Sequence, residues 1–278
     1  GVVLSDVIKL YFREAFLAIG LVFLLLGSMW LATGMFPPMV VVESGSMKHT
    51  DDGSLGAIDP GDLVLVMNPD RVNIITYVEA SEEGNLNYGY EMHGMFGDVI
   101  IYQKNGGSDT PVIHRAILKA VLNSTIDGQK TWDVPGTNLV NVSSINLVLD
   151  YPCSYHGGSY NLEIIDWNPN HSGYLTTGDN PDTNGCKIDQ IVATGQDERN
   201  GLKDENNQPV TAVKDDWIVG VASSEIPWVG SIKLFFSGTS SFVSTQTWSN
   251  LMTIIAVVVI VPMVFDLLSN QKRNDEEE

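Results

Sequence analysis

Cysteine is nearly absent: Cys153 and Cys186 are the only two in 278 residues. Neither they nor the five histidines fall into a spacing that would hold a metal ion, so no metal and no cofactor is expected. Cations are scarce as well, 15 Lys and Arg against 34 Asp and Glu, for a net charge of −19. The long segment 37–247 holds 27 acidic and 11 basic residues with no basic patch, and nucleic acid is therefore not an expected partner. Helical periodicity is sparse between residues 38 and 235, and internal repeats are absent.

Charge is missing altogether from Ala15 to Val42. Within that window Ala15–Phe36 is long enough to cross a hydrocarbon core, which takes about 20 residues. A second apolar run, Leu251–Phe265, extends to 248–268 when Trp248 and Leu267–Leu268 are included, at the cost of taking in Asp266. Lys9 and Arg13 precede the first run, Lys272 and Arg273 follow the second, and no cation lies between Arg13 and Lys48. That distribution predicts a multi-pass cell-membrane protein with a cytoplasmic N-terminus (1–14), an uncleaved anchor (15–36), an extracytoplasmic domain (37–247), a second transmembrane helix (248–268) and a cytoplasmic acidic tail (269–278). The lipid bilayer is then the first expected partner. Cys153 and Cys186 fall on the outer side, where a disulfide between them is expected. Asn123, Asn141 and Asn170 each open a glycosylation sequon on that side.

Short β-rich runs separated by turn residues fill the outer segment: MVVVE, DLVLV, VNIITYV, DVIIYQ, VIHRAILKAVL, INLVLDY, YNLEIID and WIVGVAS. Two begin alike, PGDLVLV at 60–66 and FGDVIIY at 96–102, each launched from a Gly-Asp turn. The fold class expected is mainly β, an antiparallel sheet flanked by two terminal transmembrane helices. Residues 120–173, rich in Asn, Ser, Gly and Thr, read as an inserted β lobe, and 196–209 as a polar loop.

Candidate chemistry gathers at three places. Ser46 stands between Gly45 and Met47 shortly after the first apolar run; a serine acts as a nucleophile only where a base takes its proton and donors hold the oxyanion. Among the histidines, His114 alone lies inside a β run, PVIHRAI, where a fixed ring can reach across a sheet; His49, three residues from Ser46, is the rival base. Asp179 in GYLTTGDNPD follows a strand and a glycine, with Asp182 and Asp189 further on.

Taken in order, the apolar anchor, SGSM, two Gly-Asp strands, His-Arg and Gly-Asp-Asn resemble type I signal peptidases from the first span to IPWVG at 226–230. Bacterial members carry lysine as the base; histidine at 114 is similar to the archaeal and endoplasmic-reticulum branch, and SMKHTD with GYEMHGMFGDVIIY looks archaeal. The resemblance implies a signal-peptidase-like serine endopeptidase that cleaves preprotein signal peptides after small-x-small residues, close to the protein-export translocon. It implies Ser46 as nucleophile, His114 as general base and Asp179 as the acid that orients it. The Ser46 amide with the Ser44 hydroxyl would form the oxyanion hole, and Val40, Val41, Val42 and Glu43 would pair with the substrate as an added strand. Three departures stand out. His49 replaces the family's usual proline. Position 185, where a second aspartate is expected, is glycine, leaving Asp182 or, by choice, Asp189 for that role. The interval from His114 to Asp179 is longer than in compact members, an excess that the 120–173 lobe accounts for. The competing reading is a non-enzymatic, membrane-anchored envelope protein with a glycosylated β domain.

Overall fold

The computed structural model describes residues 2–50, 52–126, 128–152, 160–183, 187–191 and 201–277. Cys153 and Cys186 lie outside them, and so does the expected disulfide.

Two long helices bracket the chain, α1 (Val2–Thr33) and α4 (Thr245–Glu277). Lys9–Thr33 and Thr245–Ser269 are each 25 residues long and contain 18-residue stretches with mean hydropathies of 2.3 and 2.7. At ~1.5 Å per residue each spans about 37 Å, enough for a ~30 Å hydrocarbon core. The apolar window of α1 is not buried at all and that of α4 only 6 %, unlike the helix of a soluble core.

Between them the protein is mainly antiparallel β. The principal sheet orders its strands β1 (Met39–Val41), β2 (Leu63–Met67), β11 (Ile218–Ile226), β5 (Val99–Tyr102), β6 (Val112–Ile126) and β10 (Gly173–Thr177), with β7 (Gln129–Asp133) paired to the distal part of β6. In β2 alternate residues turn inward, so Val64 and Val66 are buried, as a period of two requires. In the central strand β5 all four residues are buried, in keeping with its unbroken VIIY run. Two further antiparallel strand pairs are described, β3 (Glu91–Met92) with β4 (Met95–Phe96), and β8 (Ile145–Tyr151) with β9 (Tyr160–Trp167).

One sequence expectation changes. The run VNIITYV is not a strand: its end starts the short helix α2 (Tyr77–Ser81). Thr76 accepts from the Glu79 amide, and the Glu79 carboxylate accepts from the Thr76 amide. This reciprocal cap outweighs the β preference of the branched residues before it. The segment 120–173 packs against the principal sheet. β6 runs unbroken from the main sheet into it, and Trp132, Ile145, Tyr151, Leu162 and Ile164 pack in one core with Ile117 and Leu175. In the polar loop expected at 196–209, residues 201–209 carry a bridge between Lys203 and Pro209; 196–200 fall outside the described residues.

Candidate functional site

Strand β1 holds the outer position of the principal sheet, antiparallel to β2 through Met39↔Leu65, Val40↔Val64 and Val41↔Leu63. The chain beyond it turns through Gly45–Lys48, where the Lys48 amide donates to the Gly45 carbonyl. Met47 pins this turn from beneath, its side chain buried with Val42, Ile58, Val64, Val99 and Ala222. Asn180 pins it from above: its amide donates to the Ser46 carbonyl at 2.9 Å and its side chain to the Gly45 carbonyl. Ser46 is left half-buried, with the exposed Ser44 hydroxyl 3.3 Å from its own.

His114 lies on β6 opposite Ile100 of β5. The β10–β6 pairing stops one residue short of it, at Thr177↔Arg115. At Gly178 the chain then passes between the two candidate groups. A Cβ there would sit 2.5 Å from the Ser46 carbonyl oxygen and 3.1 Å from His114 Nε2, so only glycine allows this approach. The structure thus brings Ser46 and the Nε2 side of His114 to one point. Both line a groove of about 520 Å³ whose walls include Val40, Val42, Ile101 and Ile113. Val41 and Glu43 line it too, so all four residues of the expected substrate strand border the groove. His49, the rival base, points elsewhere: its Nδ1 is 3.2 Å from the Met47 carbonyl and 3.7 Å from Asp179.

The acids are arranged differently from the sequence expectation. The carboxylate on His114 is Asp189, with Oδ2 2.6 Å from Nδ1. The same oxygen accepts from the Thr176 hydroxyl at 2.7 Å and the Tyr102 hydroxyl at 3.1 Å. His114, Asp189, Thr176 and Tyr102 are all buried. Burial, reinforced by the Asp189 charge, holds the Tyr102 phenol well above its ordinary pKa, so it stays a donor. Asp179 instead faces Arg115: Arg115 Nη2 donates to Oδ2 at 2.6 Å and Nε to both oxygens at 3.1 Å. Tyr151 of β8 donates to Asp179 Oδ1 at 2.6 Å. Burial opposes the charge on Arg115, but Asp179 and Tyr151 outweigh it and raise its pKa. The reason is strand alternation: neighbours 114 and 115 project to opposite faces of β6, and each face has its own acid. Asp182 is exposed, with its backbone amide donating to Asn180 Oδ1.

Asp179 still bears on the candidate nucleophile through the backbone. Anchored by Arg115 and Tyr151, it fixes the turn whose neighbours Gly178 and Asn180 contact Ser46. Arg115, Tyr151, Thr176 and Tyr102 were not singled out from the sequence. For Arg115 a signal existed, since a cation inside an otherwise apolar strand needs a buried acid.

A second carboxyl pair lies under the loop that carries Ser46. Asp59 accepts from the Gly53 amide, and Asp62 accepts from the amides of Asp59 and Trp228, each at 2.9 Å. Burial and then the Asp62 charge push Asp59 up to about 7; burial, with Glu225 adding to it, pushes Asp62 up to about 6. The folded protein therefore holds these protons more tightly than the unfolded chain. Their contribution to stability is complete below the ordinary carboxylate value of 3.8 and is lost as pH rises through about 6 to 7. The thermal midpoint is expected to fall across that window. Asp59→Asn should flatten the fall and unfold above wild type in mildly alkaline buffer. A variant with the wild-type slope would contradict the assignment; scanning calorimetry in detergent at several pH values reads it.

The three sequon asparagines are exposed on 120–173. The Asn123 side-chain amide is engaged by Asp133 at 2.8 and 2.9 Å, and Asn141 has a positive φ of 56°. No group of metal-ligating side chains occurs among the described residues. No family model, curated protein or solved structure matches the chain.

Proposed function

We propose that the protein is a membrane-bound serine endopeptidase that removes signal peptides, of the Ser-His-Asp type that the sequence resembles. One observation carries the reading: Ser46 and His114 Nε2 flank Gly178 in an apolar groove walled by an outer strand, while a buried acid holds His114 Nδ1.

In this mechanism an extended substrate lies along β1, its small side chains in the groove. Ser46 Oγ attacks the scissile carbonyl carbon as His114 Nε2 takes the hydroxyl proton. The oxyanion is received by the Ser46 amide and the Ser44 hydroxyl. Collapse of the tetrahedral intermediate breaks the C–N bond, and His114 returns the proton to the departing amine. Water, deprotonated by His114, then attacks the Ser46 ester and frees the new carboxylate together with the serine. Asp189 keeps the proton on Nδ1 and stabilises the imidazolium, the role that the sequence had given to Asp179. The two terminal helices would hold this chemistry at the extracytoplasmic face of the membrane, beside the export machinery.

The test is direct. Purified protein in detergent is expected to cleave a preprotein once, after a small-x-small site, as N-terminal sequencing of the product would reveal. A serine-directed fluorophosphonate should label Ser46. An intact preprotein with no labelling would favour the envelope-protein reading.

A further inference from the structure

Charge is absent not only from the apolar core of α4 but from the whole stretch 234–265, in a chain whose charged residues number 49 of 278. The stretch begins well before α4, within the short helix α3 (Ser231–Ser237). One side of α3 faces the domain, with Ser231 and Leu234 fully buried. The other side presents Phe235 and Phe236, 63 % and 83 % exposed, and beyond the Gly238 cap Phe242 is 65 % exposed. Three large aromatic faces in water within eight residues is an exposed apolar patch that asks for cover.

The position of the patch says what covers it. The first turns of α4 are fastened to the domain: Thr247 and Leu251 are buried, and the Asn250 side chain donates to the Gly53 carbonyl, which also accepts from Trp228 Nε1. From Met252 onward the apolar side chains of α4 are exposed, so the helix leaves the domain at this level. Trp248 marks it. Phe235 meets Trp248 edge-on with centroids 6.1 Å apart, and Phe236 continues the row at 5.5 Å from Phe235. The exposed aromatics of α3 are therefore in line with the start of the exposed apolar surface of α4.

We propose that the outer face of α3 lies in the bilayer interface, with Phe235, Phe236 and Phe242 dipping into the boundary between headgroups and acyl chains. This rests on the reading of α4 as a membrane span. The chemistry suits it, since an amphipathic helix with exposed aromatic side chains on one face buries them at that depth. It also has a consequence for the groove. Lys233 of α3 reaches Glu43 at 3.2 Å, and a Cβ on Gly230 would lie 2.9 Å from Val41 Cγ1. The interfacial helix thus adjoins the strand that receives substrate, and the groove is held at the lipid surface, where a membrane-embedded segment surfaces.

Tryptophan quenching by brominated lipid tests this with the full chain in phosphatidylcholine vesicles, half of them brominated near the carboxyl end of the acyl chains. Three single variants are compared with the parent: Phe236→Trp, Val258→Trp in the apolar part of α4, and Val148→Trp on β8, exposed and within the 120–173 segment. The emission added by the first two is expected to be quenched, and that of the third to be unaffected. If Val258→Trp is quenched and Phe236→Trp behaves like Val148→Trp, the interfacial role of α3 is overturned while the span stands. If Val258→Trp escapes quenching, the span itself fails and the inference with it. Equal quenching at all three positions would also overturn it, because α3 would then be no special contact.

Discussion

Ser46→Ala is expected to lower kcat for preprotein cleavage by about 10⁴- to 10⁶-fold while leaving the fold intact. The removed hydroxyl sits on a half-buried turn, where its described side-chain partner is Ser44 at 3.3 Å. The turn itself is held by Met47 below and Asn180 above, neither of which the substitution touches. His114→Ala should cost a similar factor, and the double variant little more, because nucleophile and base act as one unit. Ser44→Ala removes a proposed oxyanion donor and should be milder, about 10²-fold. These are single-turnover measurements on one preprotein, with circular dichroism to establish that each variant is folded. Cleavage by Ser46→Ala near the wild-type rate would end the assignment, whatever the other variants do.

The parts legible in sequence are those governed by local pattern. Alternation and unbroken apolar runs located β2, β5, β6 and β8 to β11, and hydropathy located the two apolar helices. The motif order put Ser46 and His114 forward together, and the structure sets them on either side of Gly178. What escaped was decided over long distances or by competing local signals. VNIITYV looked like a strand because its branched residues were weighed and the Thr76-x-x-Glu79 cap was not. Tyr151 carries no local mark of its bond to Asp179; only the packing of β8 onto the sheet brings it there. The two acids were exchanged because Gly-Asp-Asn stands next to the strand end, whereas Asp189 returns to the site only after a further turn, with its amide on the Thr176 carbonyl. One local rule did bear on the choice. Residues 114 and 115 are adjacent in a strand, so a single carboxylate cannot serve both, and the buried arginine needed one of its own.

That exchange predicts two different failures. Asp189→Asn keeps the shape of the side chain and an oxygen for Thr176 and Tyr102, yet turns an amide N–H toward His114 Nδ1. The imidazole then takes the wrong tautomer, with its proton on Nε2 facing Ser46, and kcat should fall by about 10⁴-fold with the thermal midpoint little changed. Asp179→Asn should do the reverse. It leaves the fully buried Arg115 guanidinium without its counter-ion, and breaking such a pair costs about 3–5 kcal/mol. Its midpoint should drop steeply. The protein that remains folded at low temperature should keep far more activity than Asp189→Asn, because His114 still has its carboxylate. Paired measurements of midpoint and kcat on the two variants separate the roles, since one moves mainly along each axis. Were Asp179→Asn to lose kcat at an unchanged midpoint while Asp189→Asn cleaved normally, the supporting acid would be Asp179 after all, and the 2.6 Å contact between His114 and Asp189 would be structural only.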